Sequence, residues 1–512
     1  MGRRELFLTS TRNDGAISER LSIGVRGLDE VLFGGLNPNR IYLLEGLPGT
    51  GKTTLALQFM LEGARAGEKC LYITLSETAE ELRAVARSHG WSLDAITIFE
   101  LTPPEANFSA DQYYTLLHPS EVELSETIKL ILDRIEELQP DRVAFDSLAE
   151  IRLLAQDPLR YRRQVLALKQ FFAGRSSTAL LLDDLTSRSH ELQVHSITHG
   201  VIVLERLVRE YGAERRRIQI IKMRGASFRG GFHDVVIAKG GLSVFPRISI
   251  EDTPDGFSGE MVSSGVPALD ALLGDGVHRG TSMLLIGPAG AGKSSLATHY
   301  ALAALERGES AAIYTFDESR STLIERSNGL GMHLEPYLES GRLIIEGVNA
   351  AELSPGHFAH RVRERVERNP RGVVVIDSLN SYLNAMPAEQ FLVMQMHELL
   401  AYLNRKGILS ILVMAQQGLI GQMHSPIDLS YLTDTVVLLR YFEFQGAVKK
   451  AISVIKKRSG AHEETIREFR LSPGGVFVGP PLTAFQGVLT GVPTYTGASS
   501  PLLGKDGRLA GS

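Results

Sequence analysis

The chain is poor in cysteine and has no run of residues able to cross a membrane. Its 512 residues include a single cysteine, Cys70, and a single tryptophan. One cysteine excludes an intramolecular disulfide and a cysteine-based zinc site, and it is compatible with a reducing cytoplasm. No stretch of 18 apolar residues is present, and the first residues lack the apolar core of a secretory signal. We therefore expect a cytoplasmic protein that does not insert into membranes.

The chain also lacks a strong charge of either sign. Its 54 lysines and arginines face 59 aspartates and glutamates, which gives a formal net charge of −5 at pH 7. Such a chain has no overall attraction to nucleic acid or to acidic lipids. The function must therefore be inferred from local motifs.

Two glycine-rich loops are the strongest of these motifs. Residues 46–53 read GLPGTGKT and residues 287–294 read GPAGAGKS, so both match G-x-x-x-x-G-K-[ST]. In this pattern backbone N–H groups surround phosphate oxygens, the lysine reaches the β- and γ-phosphates, and the hydroxyl binds Mg²⁺. Two loops predict a tandem nucleoside triphosphatase. The predicted nucleotide-binding residues are Gly46, Gly49, Thr50, Gly51, Lys52, Thr53, Thr54, Gly287, Gly290, Ala291, Gly292, Lys293, Ser294 and Ser295.

The loops belong to a longer internal repeat. Residues 23–56 align without a gap with residues 264–297, and 14 of the 34 positions are identical. The offset of 241 residues also relates Glu77 to Glu318. Agreement over this length indicates a duplicated domain. We predict a first domain at 1–248, a second at 249–495, and a flexible tail at 496–512 that is rich in glycine and serine.

Each half shows the pattern of a buried parallel sheet. Apolar, β-branched runs at 41–45, 69–75, 142–145 and 178–182 predict strands, and their counterparts are 282–286, 311–316, 372–376 and 408–414. Helical stretches separate them, and antiparallel hairpins are predicted at 200–222 and 434–456. The fold class is therefore α/β, with two mostly parallel sheets flanked by helices.

Four acidic residues end apolar strands in matching positions of the two halves. Ligands bind at the carboxyl ends of parallel strands, so Asp146 and Asp377 are predicted to hold Mg²⁺ together with Thr53 and Ser294. Glu77 and Glu318 each follow the loop lysine by 25 residues, and we predict that they accept the proton of the attacking water. The alternative for these two glutamates is a role in capping the helix that follows.

Two pairs of cations occupy matching strands near the end of each half. Side chains alternate along a strand, so Lys222 and Arg224 share one face, and Lys456 and Arg458 repeat the arrangement. Such pairs suit a γ-phosphate, although a solvated strand end is the alternative. A separate basic stretch at 214–217 is predicted to lie on an exposed hairpin, and the alternative is a patch that contacts a partner or nucleic acid.

Taken together, the motifs resemble the KaiC family of double-domain RecA-like ATPases. The resemblance covers roughly residues 18–495 and rests on both loops, on Ser76-Glu77-Thr78 and Asp317-Glu318-Ser319, on residues 222–225 and on residues 432–439. It implies homohexameric double rings that bind ATP and Mg²⁺ between neighbours. It further implies that Lys222, Arg224, Lys456, Arg458 and His462 reach the adjacent subunit's nucleotide.

The resemblance also implies autokinase activity in the second domain, where Asp317 would assist Glu318. The positions that match the family's phosphorylated serine and threonine are Ser430 and Tyr431. Tyrosine in place of threonine, and Ser76 and Asp317 in place of glutamates, depart from the family pattern. We therefore expect a signalling role with protein partners rather than a complete circadian oscillator.

Two other functions share the fold. A RecA-like DNA motor would need a basic, aromatic DNA-binding loop, which the sequence does not offer clearly, so we do not expect a nucleic-acid partner. A nucleotide-gated scaffold would bind ATP to assemble rings, with hydrolysis incidental to assembly.

Overall fold

A computed structural model of the chain describes residues 20–101, 119–184, 191–208, 212–249, 259–349, 351–384, 392–416, 430–488 and 494–495. The chain forms two compact units. The first unit ends at Arg247, and the main segment of the second begins at Ile248. The predicted tail at 496–512 lies outside the described residues.

The first unit is built on one nine-stranded sheet. Its strand order is β3-β2-β4-β5-β1-β6-β7-β8-β9, in which the strands from β3 to β6 are parallel and those from β6 to β9 antiparallel. The strands are β1 (Ile41–Gly46), β2 (Cys70–Thr74), β3 (Thr97–Glu100), β4 (Arg142–Asp146), β5 (Thr178–Asp184), β6 (Gly200–Leu207), β7 (Arg215–Met223), β8 (Phe232–Ala238) and β9 (Gly241–Phe245). The helices are α1 (Leu28–Val31), α2 (Lys52–Arg65), α3 (Ala79–His89), α4 (Pro119–Leu138), α5 (Leu148–Ala155), α6 (Pro158–Phe172) and α7 (Glu191–Ile197).

The second unit repeats this sheet with the order β14-β13-β15-β16-β12-β17-β18-β19-β20. Two short pairs of strands, β10–β11 and β21–β22, lie outside it. The strands are β10 (Met261–Val262), β11 (Val277–His278), β12 (Ser282–Gly287), β13 (Ser310–Thr315), β14 (Leu343–Gly347), β15 (Gly372–Asp377), β16 (Leu409–Ala415), β17 (Thr435–Phe444), β18 (Ala447–Lys457), β19 (Arg467–Ser472), β20 (Gly475–Pro481), β21 (Phe485–Gln486) and β22 (Thr494–Tyr495). The helices are α8 (Pro267–Leu272), α9 (Lys293–Glu306), α10 (Arg320–Gly329), α11 (Glu335–Glu339), α12 (Pro355–Arg368), α13 (Leu379–Asn384) and α14 (Leu392–Arg405), with a 3₁₀ turn at Ser430–Leu432.

The predicted fold class is confirmed, because both sheets are mostly parallel and carry helices on each face. Every residue of β1, β2 and β4 is buried, as continuous apolar runs require when both faces are covered. The two faces pack into separate apolar cores, one against α2 and α3 and the other against α4, α5 and α6. The same division recurs in the second unit.

A buried ion pair fixes the start of β4. Arg142 is 2% exposed and pairs with Glu68, while its Nη1 donates to the carbonyl oxygens of Ser22 and Phe59 at 2.8 and 2.9 Å. The guanidinium also lies over the Phe59 ring. One side chain therefore ties the entry of the domain, helix α2 and strand β4 together.

Replacing Arg142 by methionine should lower the free energy of unfolding by about 3 kcal/mol, because Glu68 and two carbonyls lose their partner. Urea unfolding followed by circular dichroism measures the change. The control is Arg65→Met, which removes a guanidinium that is 67% exposed and pairs with Glu62 on the surface. This control should cost no more than about 0.5 kcal/mol. Equal losses in both variants would contradict the assignment of Arg142.

Candidate functional site

Both glycine-rich loops join a buried strand to the amino end of a helix of 14 residues. Gly51 precedes α2 with φ of 105°, and a Cβ atom there would lie 2.5 Å from Cδ1 of Ile237. Gly292 repeats this before α9, with φ of 106° and a Cβ position 2.6 Å from Cδ1 of Leu471. Only glycine meets both constraints. Free N–H groups at each helix start then face the loop, which suits a phosphate.

The loop lysines have different surroundings in the two units. Lys52 Nζ donates to the carbonyl oxygens of Gly46 and Leu47 at 2.8 and 3.2 Å, and it lies 2.6 Å from Oδ1 of Asp184. Asp184 faces Gly46 across the sheet, and the residue facing Gly287 in the second unit is Ala415. The first lysine therefore has a carboxylate partner at a position that is apolar in the second unit.

Lys293 donates to the carbonyl oxygen of Pro288 at 2.7 Å. Burial lowers the pKa of Lys293 to about 8, and the negative charge of Asp377 opposes that shift only in part. The second loop therefore holds a lysine whose pKa lies well below the ordinary value for lysine.

The remaining loop residues support the loop itself. Thr50 is buried and its hydroxyl donates to the carbonyl oxygen of Leu47 at 2.8 Å. Ala291 is fully buried, and Thr54 and Ser295 are nearly so on the first turn of their helices. These residues shape the loop and leave the backbone N–H groups and the lysine for the phosphates.

The two aspartates predicted to bind Mg²⁺ end β4 and β15 beside the loop hydroxyls. Thr53 Oγ1 donates to Oδ2 of Asp146 at 3.3 Å, and the Tyr72 hydroxyl donates to the same oxygen at 2.7 Å. Burial raises the pKa of Asp146, and it raises that of Asp377, where the Ser294 hydroxyl opposes the shift. A hydroxyl and a carboxylate are hard oxygen ligands, so each pair fits Mg²⁺.

Within the described ranges, no group of three histidine, cysteine, aspartate or glutamate side chains could hold a metal ion. Mg²⁺ commonly takes one or two protein ligands and completes its shell with water and substrate phosphates. His195 and His199 are four residues apart, a spacing that can align two metal ligands on a helix, but here their ring nitrogens contact other groups. His195 Nε2 contacts Glu45 Oε2 at 2.7 Å, and His199 Nδ1 accepts from the backbone of Ile41.

Glu77 lies just beyond β2, next to the end of β4. Burial raises the pKa of its carboxyl, and the negative charge of Asp146 adds to the shift. Its Oε2 atom is buried and accepts no hydrogen bond from the described residues. Thr78, the next residue, is the cap of α3 and accepts from the backbone of Glu81. Capping therefore does not occupy the Glu77 carboxylate.

Glu318 has a matching position and a different partner. Its two carboxylate oxygens accept from Nε and Nη2 of Arg326 at 3.1 and 2.9 Å, while Ser319 caps the following helix. Asp317 accepts from the hydroxyls of Ser378, at 2.7 Å, and Ser381. Both acids of the second unit are thus held by donors of the same unit.

One cavity of about 820 Å³ in the second unit brings together most of the predicted loop residues, the predicted Mg²⁺ ligands and the two predicted catalytic acids. A volume of this size falls in the usual range for ligand sites. Its walls include Gly290, Gly292, Lys293, Ser294, Ser295, Asp317, Glu318, Arg326 and Asp377.

The cation pairs do not join their own unit's loop. Lys222 faces Val201 at the start of β6, and Val201 faces Leu43, whereas the loop follows Gly46. At about 3.3 Å per residue, this register places the backbone of Lys222 roughly 10 Å before the loop along the sheet. Arg224 lies still further from the loop, beside the residue that precedes β6, where its backbone N–H donates to the carbonyl oxygen of His199.

The second pair occupies the same edge of its own sheet. Lys456 faces Val436 near the start of β17, and its Nζ donates to the carbonyl oxygen of Thr433 at 2.8 Å. Arg458 Nη2 donates to the carbonyl oxygen of Tyr431 at 2.8 Å. His462 is half-buried in the segment after β18. Ser430 and Tyr431 form the turn before β17, so they also lie at the edge opposite the loop.

The basic hairpin of the first unit is paired with acids. Arg217 Nε lies 2.7 Å from Glu205, and Arg216 Nη2 lies 2.9 Å from Glu214. Arg216 Nε also donates to the carbonyl oxygen of Gly49 at 3.4 Å. These charges therefore support the hairpin and the loop beside it.

Sequence reasoning missed three contributors to the sites: Asp184, Tyr72 and Arg326. A signal existed for Asp184, because the apolar run 178–182 ends in two aspartates just as the run before Asp146 ends in one. Tyr72 lies inside a strand and Arg326 inside a helix, so no local pattern distinguishes them from core or surface residues.

The comparison with known proteins agrees with this geometry. The family model of the KaiC ATPase matches residues 21–249 and again residues 262–483. The chain belongs to the KaiC ATPase family. It is 26% identical over 491 residues to the circadian clock protein KaiC3 of Synechocystis sp., covering 94% of this chain and 96% of that protein. It is 28% identical over 486 residues to the circadian clock oscillator protein KaiC of Synechococcus elongatus, covering 92% and 91%.

Family membership makes the chain a KaiC-like ATPase with two RecA-like domains, and both matches contain a complete loop. Among the helices that the structure describes, none is long and apolar enough to span a bilayer.

The lowered pKa of Lys293 predicts a pH-dependent second site. In a Lys52→Ala background, ATP affinity should fall by up to about tenfold per pH unit above pH 8, because the free lysine loses the charge that a bound phosphate stabilises. Titration with a fluorescent ATP analogue between pH 7 and 9.5 measures the change. Lys293→Arg is the control, since its guanidinium stays charged and its affinity should vary less. The same pH dependence in both proteins would contradict the assignment.

Proposed function

We propose that the chain is an ATPase that assembles into homohexameric double rings and hydrolyses Mg·ATP between neighbouring subunits in a signalling or clock-like role. In this proposal residues 1–248 form the first ring and residues 249–495 the second. One subunit supplies the loop, the Mg²⁺ ligands Thr53 and Asp146, and the base Glu77. The neighbour supplies Lys222 and Arg224.

The observation that carries the proposal is the placement of the cation pairs. Lys222 and Arg224 lie at the amino end of the parallel strands, and the loop of the same unit lies at the carboxyl end. If one subunit supplied the loop and the cation pair to the same nucleotide, the cations would have to reach across the length of its own sheet. A head-to-tail ring removes this conflict, because a heterologous interface brings opposite edges of neighbours together.

The chemistry follows from the side chains. Glu77 would accept a proton from water as the water oxygen bonds the γ-phosphorus and the bond to the bridging oxygen of ADP breaks. Burial raises the pKa of Glu77, which makes it a better proton acceptor than an exposed carboxylate. Mg²⁺, when bound, would neutralise charge on the β- and γ-phosphates. Lys52 and the neighbour's cations would stabilise the charge that develops during transfer.

The second ring has the same parts, namely Lys293, Ser294, Asp377 and Glu318, with Lys456, Arg458 and His462 from the neighbour. Its turn at Ser430–Leu432 shares the edge of these cations. A neighbour's γ-phosphate at this edge would lie near Ser430 and Tyr431. We therefore propose autokinase activity, with Asp317 assisting Glu318.

A subunit-mixing experiment tests hydrolysis between subunits. Glu77→Gln and Arg224→Ala are each made with Glu318→Gln, so that only the first domain can hydrolyse ATP. Each protein alone should be inactive. After disassembly and mixing at equal amounts, about one quarter of interfaces would pair an intact Glu77 with an intact Arg224, which restores about a quarter of the first-domain rate.

Two further outcomes of mixing are informative. No recovery, with mixed hexamers verified by native mass, would mean that both residues act within one subunit. If Arg224→Ala alone keeps full activity, the Arg224 side chain is not needed for hydrolysis.

Mass spectrometry tests the autokinase separately. The full chain incubated with Mg·ATP should gain one phosphate, located by peptide mass on Ser430 or Tyr431, and Lys293→Ala should not gain it. Lys52→Ala is the matched control, because the first loop would not supply this phosphate. The absence of phosphate on both residues would remove the autokinase and leave the ATPase intact.

A further inference from the structure

In the second unit, Arg326 forms a bidentate ion pair with the predicted base, Glu318. Arg326 on α10 donates from Nε and Nη2 to the two carboxylate oxygens of Glu318, at 3.1 and 2.9 Å. Its Nη1 donates to Ser295 Oγ at 2.8 Å. The guanidinium thus bridges the first turn of α9 and Glu318. Both side chains are about three-quarters buried, which limits the screening of their charges by water.

In the described part of the first unit, the position that matches Arg326 carries no cation. The repeat offset of 241 residues relates Arg326 to Val85, which packs against the apolar core of its unit. Glu77 keeps an Oε2 atom that accepts no hydrogen bond from the described residues. Two sites with the same loop and the same predicted base therefore differ in whether a cation already occupies the carboxylate.

We propose that Arg326 is a positioning residue that restrains Glu318 and slows hydrolysis in the second domain, so that ATP persists there. The inference rests on the proposed role of Glu318 as the base. To take a proton from water, Glu318 must give up part of a bidentate, charge-assisted pair, which belongs to the stronger class of hydrogen bonds. In the first domain, Glu77 Oε2 accepts no hydrogen bond from the described residues, so it has no matching pair to release.

The bridge to Ser295 adds a positional effect. Ser295 directly follows Ser294, the predicted Mg²⁺ ligand, so Arg326 fixes the distance between the base and the loop. A domain that keeps its ATP unhydrolysed retains a γ-phosphate for transfer to a protein hydroxyl.

The test compares Arg326→Val with the parent in a Glu77→Gln background, where the second domain is the remaining site of hydrolysis. Single-turnover hydrolysis should become about tenfold faster, which corresponds to about 1.4 kcal/mol. Arg320→Val is the matched control, because Arg320 is exposed on the same helix. Its rate should equal that of the parent.

A second readout uses the protein without nucleotide. A water-soluble carbodiimide with an amine labels accessible carboxyl groups, and tandem mass spectrometry of the peptide separates Glu318 from Asp317. Labelling of Glu318 should rise at least twofold in Arg326→Val and stay unchanged in Arg320→Val. A role of Arg326 limited to folding would raise neither the hydrolysis rate nor the selective labelling of Glu318.

Several outcomes would overturn the inference. Unchanged or slower hydrolysis in Arg326→Val, with Glu318 more reactive, would show that the ion pair exists but does not slow the reaction. Unchanged labelling would show that Arg326 does not occupy Glu318. If Arg326→Val does not fold, Arg326→Met replaces it, because methionine keeps much of the length of the side chain without its charge, and a rate no higher than that of the parent would overturn the inference.

Glu318→Gln in the same background separates this inference from the proposed function. If Glu318→Gln leaves second-domain hydrolysis unchanged, Glu318 is not the base and the proposed function fails at this residue. If Glu318→Gln abolishes hydrolysis while Arg326→Val gives the parent rate, the base is correct and the restraint alone is wrong.

Discussion

The parallel alignment of the central strands is the constraint on which both sites depend. In the first unit, Gly46 faces Asp184 and Thr74 faces Asp146, so the ends of the four neighbouring strands β2, β4, β5 and β1 meet at one edge. Backbone hydrogen bonds set this register, and a slip by one residue would turn Asp146 to the other face of the sheet. The phosphate loop, the aspartate and the glutamate share a site because their strands end together.

The duplication preserved this register and changed the charges around it. Asp184 beside Lys52 corresponds to Ala415, and the Tyr72 hydroxyl on Asp146 corresponds to Ile313 by the repeat offset. At a third position the second unit has the polar residue, because Arg326 corresponds to Val85 of the first unit. In the first unit, the additional polar side chains contact the loop lysine and the predicted Mg²⁺ ligand Asp146. In the second unit, the additional polar side chain contacts the predicted base, Glu318. Sheets with the same strand order thus provide two electrostatic environments for the same phosphate chemistry.

The antiparallel strands of each sheet place the cation pairs at the edge opposite the phosphate loop. Strands β7 and β18 return along β6 and β17, so their last residues reach the edge opposite the loop. Cations at that edge cannot serve the same unit's phosphates without crossing the sheet. The proposed ring of identical subunits would use both edges of every sheet at once, which is why we connect these cations to assembly as well as to hydrolysis.

The sequence by itself determined the α/β class, the repeat, and the central strands to within about two residues at each end. It did so because continuous apolar runs and glycine-lysine loops are local patterns with a direct physical cause. It did not predict the edge strands β3 and β14 or the last strands of each sheet, since these strands are short or only partly buried and lack a long continuous apolar run. Only the tertiary structure decided that Arg326 meets Glu318 and Ser295, and that Asp184 meets Lys52. The second and third of these contacts join residues more than 30 positions apart, and all depend on how helices rotate against a sheet, which no local pattern of residues encodes.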